Sequence, residues 1–288
     1  MESPLSLNTD NVITVFFQGM MSSRSQAAKY TSQGIKIDGK IDGKIVYIPN
    51  APDIIYNPYI YDELWDVNYN WTLNPIDLVF KVMSYVKGWY YNIHNEPVYH
   101  INLANLNVGG REDILQCQSA IRSCIASHPD KKLVLFGCSR GASTILSSLS
   151  SLYDIEQIKP HIGLIILEGP FDSVDNVLLQ RSYFPGFQLF LLNNFTGYNK
   201  EFPPPLHFVT DKFPLDIPLA FISSKVDTVV PPQCTQNIID ILRQRGHKHL
   251  HHLSLHNSPH SEMSLHNTED KSRYINFVNA LYTRYLQK

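Results

Sequence analysis

Short apolar runs alternate along the chain with longer stretches whose apolar residues recur at steps of three and four. The runs at 12–17, 98–103, 133–136, 162–167 and 219–222 have the length and content of buried strands. Residues 247–255 read as a last strand. Between them, Ile114, Cys117, Ile121, Cys124 and Ile125 predict an amphipathic helix over 112–126. Ala142, Ile145, Leu146 and Leu149 mark a second helix, and Ile238, Ile239 and Leu242 a third. Tyr274, Phe277, Val278, Leu281 and Tyr285 form the stripe of a final helix that docks on the sheet. Strand and helix in alternation argue for a mostly parallel central sheet with helices on both faces.

Two regions break this rhythm. In 32–96 a repeated Lys-Ile-Asp-Gly at 35–44 reads as an alternating strand or hairpin, and 45–48 as another strand. Residues 50–74 are rich in Tyr, Asp and Asn and contain Pro52 and Pro58, which predicts irregular structure. Ile76, Val79, Phe80, Met83 and Val86 return to helical spacing. Region 32–96 is therefore expected to be an insertion or an irregular crossover. Its Tyr56, Tyr59, Tyr61, Trp65, Tyr69 and Trp71 either pack a loop onto the core or line a pocket. The second region, 174–215, begins helically, is interrupted at 184–186 and carries Pro203, Pro204, Pro205 and Pro214. Phe187, Phe190 and Leu191 there read as buried packing. The whole, 1–288, reads as one domain.

Composition narrows the class without naming a reaction. The chain is 43% apolar and 17% charged, with a net charge of −2. No basic run is long enough for nucleic acid or an anionic membrane surface. No apolar run approaches the length of a membrane span, so no integral membrane association is expected. Residues 1–8 lack a basic region followed by an apolar core, so no secretory signal is expected. Cys117, Cys124, Cys138 and Cys234 show no C-x-x-C spacing, and the first two share a helix face as small core residues. A reducing, cytoplasmic location follows as the expectation.

The candidate chemistry begins where the 133–136 strand meets its helix. Gly137 and Gly141 bracket Ser139 in the pattern G-x-S-x-G. Glycine at both flanks lets strand and helix backbones come close, and the turn lifts the serine hydroxyl above the sheet. After the 219–222 strand, Asp227 is followed by Val229, Val230 and Pro231. After the 247–255 strand come His256 and His260. Glu168 and Asp172 follow the 162–167 strand and are alternative acids, each with a structural reading as a loop or helix-cap carboxylate. Twelve histidines are present, seven of them between 247 and 266. Neighbouring strand positions point to opposite faces and no cysteine accompanies them, so no metal is expected from that cluster.

The order Ser139, Asp227, His260, with the G-x-S-x-G turn between strand and helix, resembles the α/β-hydrolase superfamily over roughly 10–30 and 97–288. That resemblance implies a three-layer α/β-hydrolase fold and, because many members carry a lid before the strand that leads to the acid, a lid over 174–215 as an equal alternative to buried packing of Phe187, Phe190 and Leu191. It also implies Ser139 as nucleophile, Asp227 as the acid and His260 as the base, with His256 the alternative. In that superfamily the strand before the first helix commonly ends in His-Gly, and a following amide forms half of the oxyanion hole. Here Gln18-Gly19 stands in that place, which implies the backbone N–H of Met20, or of Met21 next to it, with that of Arg140 as the other half. The Arg140 side chain either meets an anionic substrate or pairs with a neighbouring carboxylate. The implied activity is hydrolysis of a small-molecule carboxylic ester, thioester or peptide through an acyl-enzyme, with no cofactor. A non-catalytic binding protein on the same scaffold and a lipase working at a membrane interface are the alternatives.

Overall fold

Six strands hydrogen-bond into one parallel sheet: β1 (Val12–Phe17), β2 (Val46–Ile48), β3 (Lys132–Cys138), β4 (Ile162–Glu168), β5 (Leu219–Ser224) and β6 (Leu250–Leu255). Their order is β2-β1-β3-β4-β5-β6, and every neighbouring pair is parallel. The computed structural model describes residues 11–19, 30, 46–48, 109–195, 198–261, 263–264 and 268–287. The strand expected at 45–48 is β2. The rest of the 32–96 region and the strand expected at 98–103 lie outside the described residues.

The helices are α1 (Arg111–Ser127), α2 (Arg140–Ser151), α3 (Ile155–Ile158), α4 (Val174–Arg181), α5 (Pro185–Phe195), α6 (Pro205–Asp211), α7 (Pro232–Gln244) and α8 (Thr268–Leu286). They lie in two layers, which is why the inner strands read as unbroken apolar runs rather than as alternations. Ile13, Val15, Leu133, Leu135 and Phe221 face one way, against Cys117 and Ile121 of α1, Ile145 of α2 and Ile238 of α7. Val12, Phe16, Val134, Phe136 and Ile222 face the other way, against Tyr30, Met263 and α8. The two-residue period of the strand sorts them.

Packing decides α8 more than propensity does. Most of the stability of a helix in a protein comes from packing its amphipathic face. Tyr274, Val278, Leu281 and Tyr282 are nearly or fully buried against the sheet, and each such burial contributes roughly 1.5–3 kcal/mol. Tyr285, expected in the same stripe, is only half-buried, and its hydroxyl lies 2.7 Å from His251 Nε2 on edge strand β6.

The 174–215 region holds three helices. The break between α4 and α5 falls at 182–184, earlier than the interruption expected at 184–186, because Pro185 and Gly186 open α5, where a first-turn proline costs no helical hydrogen bond. Phe187 and Phe190 are 62% and 54% exposed, so buried packing does not describe them. The principal neighbour of α5 is α4 rather than the sheet, so its apolar residues have no core to enter. Helix α6 has no counterpart in the sequence reading. It begins on Pro205, where a proline loses nothing because a first-turn N–H has no helical partner. Among the described residues, no helix is long and apolar enough to cross a membrane.

Candidate active site

The elbow at Ser139 is built by close backbone approach. Strand β3 ends at Cys138, α2 begins at Arg140, and Ser139 between them adopts φ 52° and ψ −115°. A non-glycine residue held there costs about 1–3 kcal/mol. Ser139 N donates to the Glu168 carbonyl at 2.7 Å, and Ser143 N to the Ser139 carbonyl at 3.1 Å, so neighbours on both sides hold the turn. A Cβ on Gly141 would sit 2.1 Å from the Phe17 carbonyl oxygen, and one on Gly137 2.6 Å from Ala142 Cα. No side chain fits at either position. The same contact brings the end of β1, Phe17 and Gln18, against the first turn of α2.

Behind the elbow, Arg140 Nε lies 3.3 Å from Asp113 Oδ2, and Gly109 N donates to that oxygen at 2.8 Å. Both side chains are almost fully buried. Burial pushes the Asp113 carboxyl above its ordinary pKa, while Arg140 and the Gly109 amide draw it back. The Arg140 side chain thus ties α1 to the elbow, and of its two sequence readings the ion pair is the one found. Ser147, Ser150 and Ser151 of α2 bond backward along their own helix, as in Ser150 Oγ to the Leu146 carbonyl at 2.8 Å, while Ser148 Oγ donates to the Ile114 carbonyl of α1, which lets polar residues lie in a buried helix.

Asp227 lies three residues past β5 and is 2% exposed. Its Oδ1 accepts the amides of Val229 and Val230, both at 2.8 Å, a local turn that the Val-Val-Pro sequence continues into α7. The guanidinium of Arg181, at the end of α4, donates to the Asp227 carbonyl. Those contacts leave Oδ2 facing His260 Nδ1 at 2.6 Å.

His260 Nε2 lies 2.8 Å from Ser139 Oγ. An ionised carboxylate only accepts, so the neutral tautomer that satisfies both contacts carries its proton on Nδ1. Nε2 is then open to the serine proton. The loop bearing His260 is fixed from below at its start. Asp270, fully buried near the start of α8, accepts from His256 N at 3.2 Å, Asn257 N at 2.7 Å and Ser258 Oγ at 2.8 Å.

Of the residues singled out in the sequence, Ser139, Asp227 and His260 come together, although they span 121 positions of chain. Glu168 and Asp172 do not join them. Glu168 accepts from Tyr30, Tyr274 and the Met263 amide. Asp172 accepts from Ser173 N, Asn176 and Asn237. His256 is exposed and meets Asp270 through its backbone. Met20 and Met21 lie outside the described residues. Tyr30, Asp270, Arg181 and Asp113 were not singled out in the sequence for these roles, because their partners lie far along the chain. Among the described residues no cluster of three or more His, Cys, Asp or Glu offers a metal site. A cavity of about 360 Å³ opens between the start of α1 and the 198–205 segment, floored by Phe171.

No protein-family model and no curated protein matches the sequence. Solved structures do match. An acylaminoacyl peptidase of Pyrococcus horikoshii superposes with a TM-score of 0.59 at 12% identity, over 97% of this chain and 38% of that one. An esterase of Pyrococcus furiosus gives 0.52 at 14% identity, over 97% of this chain and 85% of that one. A puromycin hydrolase gives 0.47 at 17% identity, over 63% of this chain and 26% of its own. This chain therefore spans only 26% to 38% of the length of the puromycin hydrolase and the acylaminoacyl peptidase. Parallel sheet, strand-to-helix elbow and structural neighbours agree: the chain has the fold of the α/β-hydrolase superfamily.

Proposed function

We propose that this protein is a serine hydrolase that works through an acyl-enzyme on Ser139. The observation that carries this reading is the continuous hydrogen-bonded chain from Ser139 Oγ through His260 to Asp227, at 2.8 and 2.6 Å. His260 Nε2 takes the serine proton as Oγ attacks a carbonyl carbon. Asp227 keeps the imidazole oriented and stabilises the imidazolium. The oxyanion is held by the backbone amides of Arg140 and Met20. Helix geometry turns the Arg140 amide back toward Ser139, and each such donor contributes about 3–4 kcal/mol to the transition state. The tetrahedral adduct collapses, and His260 hands its proton to the departing oxygen, sulfur or nitrogen. Water then loses a proton to His260, attacks the acyl carbon and releases the acid and Ser139. No step calls on a metal or an organic cofactor.

A carboxylic ester is the first substrate class, with thioester and peptide next. Neighbours named as an esterase and as a peptidase lend support to both ends of that range. Esters, thioesters and aminoacyl amides assayed with wild type and Ser139→Ala test it. Turnover of one class that vanishes in Ser139→Ala is expected, and turnover that survives the substitution contradicts the reading.

The exposed aromatic residues of 183–190 favour a second reading, a lid and lipase action at an interface. Tyr183, Phe184 and Phe187 are 96%, 73% and 62% exposed, and α4 reaches the acid loop through Arg181. Activity that jumps above the substrate's micellar concentration supports this. Full turnover of short soluble esters with no such jump removes it.

A further inference from the structure

The residue after the base is strained. Ser261 adopts φ 55°, the left-handed region that a side chain disfavours. Such a conformation persists only where its surroundings impose it. Asp270 accounts for the start of the loop, at 256–258. At the other end, Met263 N donates to Glu168 Oε1 at 3.1 Å.

Glu168 is built as an anchor. It closes β4 beside the nucleophile and is fully buried. The Tyr30 hydroxyl donates to Oε1 at 2.5 Å, and the Tyr274 hydroxyl to Oε2 at 2.9 Å. The Cys138 thiol lies 3.9 Å from Oε1. The carboxylate thus joins the β3–β4 edge, α8 and the histidine loop at one point. Burial raises its pKa, and the donors from Tyr30, Met263 and Tyr274, with nearby His260, oppose that shift. The next residue supplies the floor. Gly169, at φ 57°, lies under the imidazole, and a Cβ there would stand 3.2 Å from His260 Cε1 and 3.4 Å from Nδ1. Pro170 and Phe171 are pinned in turn, by Thr235 Oγ1 on the Pro170 carbonyl and by Ser143 Oγ on Phe171 N and its carbonyl.

We propose that Glu168 is a positioning residue for the base: it grips the far end of the strained loop, so that His260, resting on Gly169, stays in line between Asp227 and Ser139. The inference rests on the triad reading above, and its consequence is specific. Glu168 touches no reacting atom, so its loss lowers kcat and leaves KM nearly unchanged. A base displaced by about 1 Å loses roughly 100-fold in rate.

The experiment compares wild type, Glu168→Ala and Glu168→Gln in kcat, KM, thermal unfolding and the far-downfield proton resonance of the Asp227–His260 hydrogen bond. Expected for folded Glu168→Ala is a kcat about 100-fold lower, a KM within about twofold and a lost resonance. Glu168→Gln keeps an acceptor for the Met263 amide and recovers most of both. Should Glu168→Ala fail to fold, Met263 is replaced by its α-hydroxy analogue, which removes that one N–H and leaves both tyrosine contacts. A kcat about tenfold lower, with the resonance moved upfield, is then expected. A folded Glu168→Ala, or the ester analogue, with wild-type kcat and resonance overturns the proposal. The resonance needs no turnover, so a wild type that shows it but cleaves nothing sinks the hydrolase reading and still tests the anchor.

Discussion

Ser139 and Ser261 are the two non-glycine residues at positive φ among the described residues, one the proposed nucleophile and the other next to the proposed base. The chain holds them by different means. At Ser139 the constraint is main chain against main chain. Gly141 touches the carbonyl of Phe17, and the amides of Ser139 and Ser143 are spent on carbonyls. At Ser261 the loop is gripped by buried carboxylates, Asp270 before it and Glu168 beyond it. Backbone contact gives a rigid nucleophile that no single side-chain truncation loosens. Carboxylate anchors give a base whose position depends on residues far away in sequence. The prediction is that the elbow fails as a folding unit and the histidine loop fails as a positioning unit.

The largest effects fall on the reacting groups and break both regions alike. Ser139→Ala is expected to lower kcat about a million-fold with the fold intact, measured by ester turnover and circular dichroism. Asp227→Asn leaves Oδ1 to its Val229 and Val230 amides but favours the wrong imidazole tautomer. It is expected to cost about 10⁴ in kcat, with KM little changed. The next two, one in each region, are compared by their cost in stability. Gly141→Ala sets a methyl group into the Phe17 carbonyl and is expected to destabilise the whole domain by about 3 kcal/mol, read by urea unfolding. Asp270→Asn is expected to cost only about 1–3 kcal/mol at neutral pH, because an amide still accepts some of the same bonds.

The pH dependence of that last variant has a defined sign. Burial alone would raise the Asp270 carboxyl, but the donors from Asn257, Ser258 and His256 outweigh it and hold its pKa below the ordinary value. A depressed acid stabilises the fold above its unfolded pKa of about 3.9, and this is lost as pH falls through the folded value. The stability difference between wild type and Asp270→Asn should therefore be full above about pH 4 and close in more acidic solution. Urea midpoints taken across acid pH read it directly.

The same contrast explains what the sequence could disclose. The elbow is written in five consecutive residues, since close backbone approach demands glycine at 137 and 141 and nothing else. Asp227 was legible through the Val-Val-Pro turn it caps, and β1, β3, β4 and β5 through apolar runs buried on both faces. The anchors of the base were not legible. Glu168 reads from sequence as one more carboxylate at a strand end. Only the fold shows that Tyr30, Tyr274 and Met263, 138, 106 and 95 positions away, all donate to it. The orientation of α5 was ambiguous for a related reason. Phe187 and Phe190 carry the composition of a core helix, and composition does not say that α4 rather than the sheet lies beneath them.

The central claim is that Ser139 is a nucleophile primed by His260 and Asp227. Intact-mass measurement of the folded protein after exposure to a fluorophosphonate tests it most directly. The account predicts a single adduct, mapped to the peptide holding Ser139, absent in Ser139→Ala and formed far more slowly in His260→Ala. A folded wild type that takes no label, or a Ser139→Ala variant that labels equally, would contradict it.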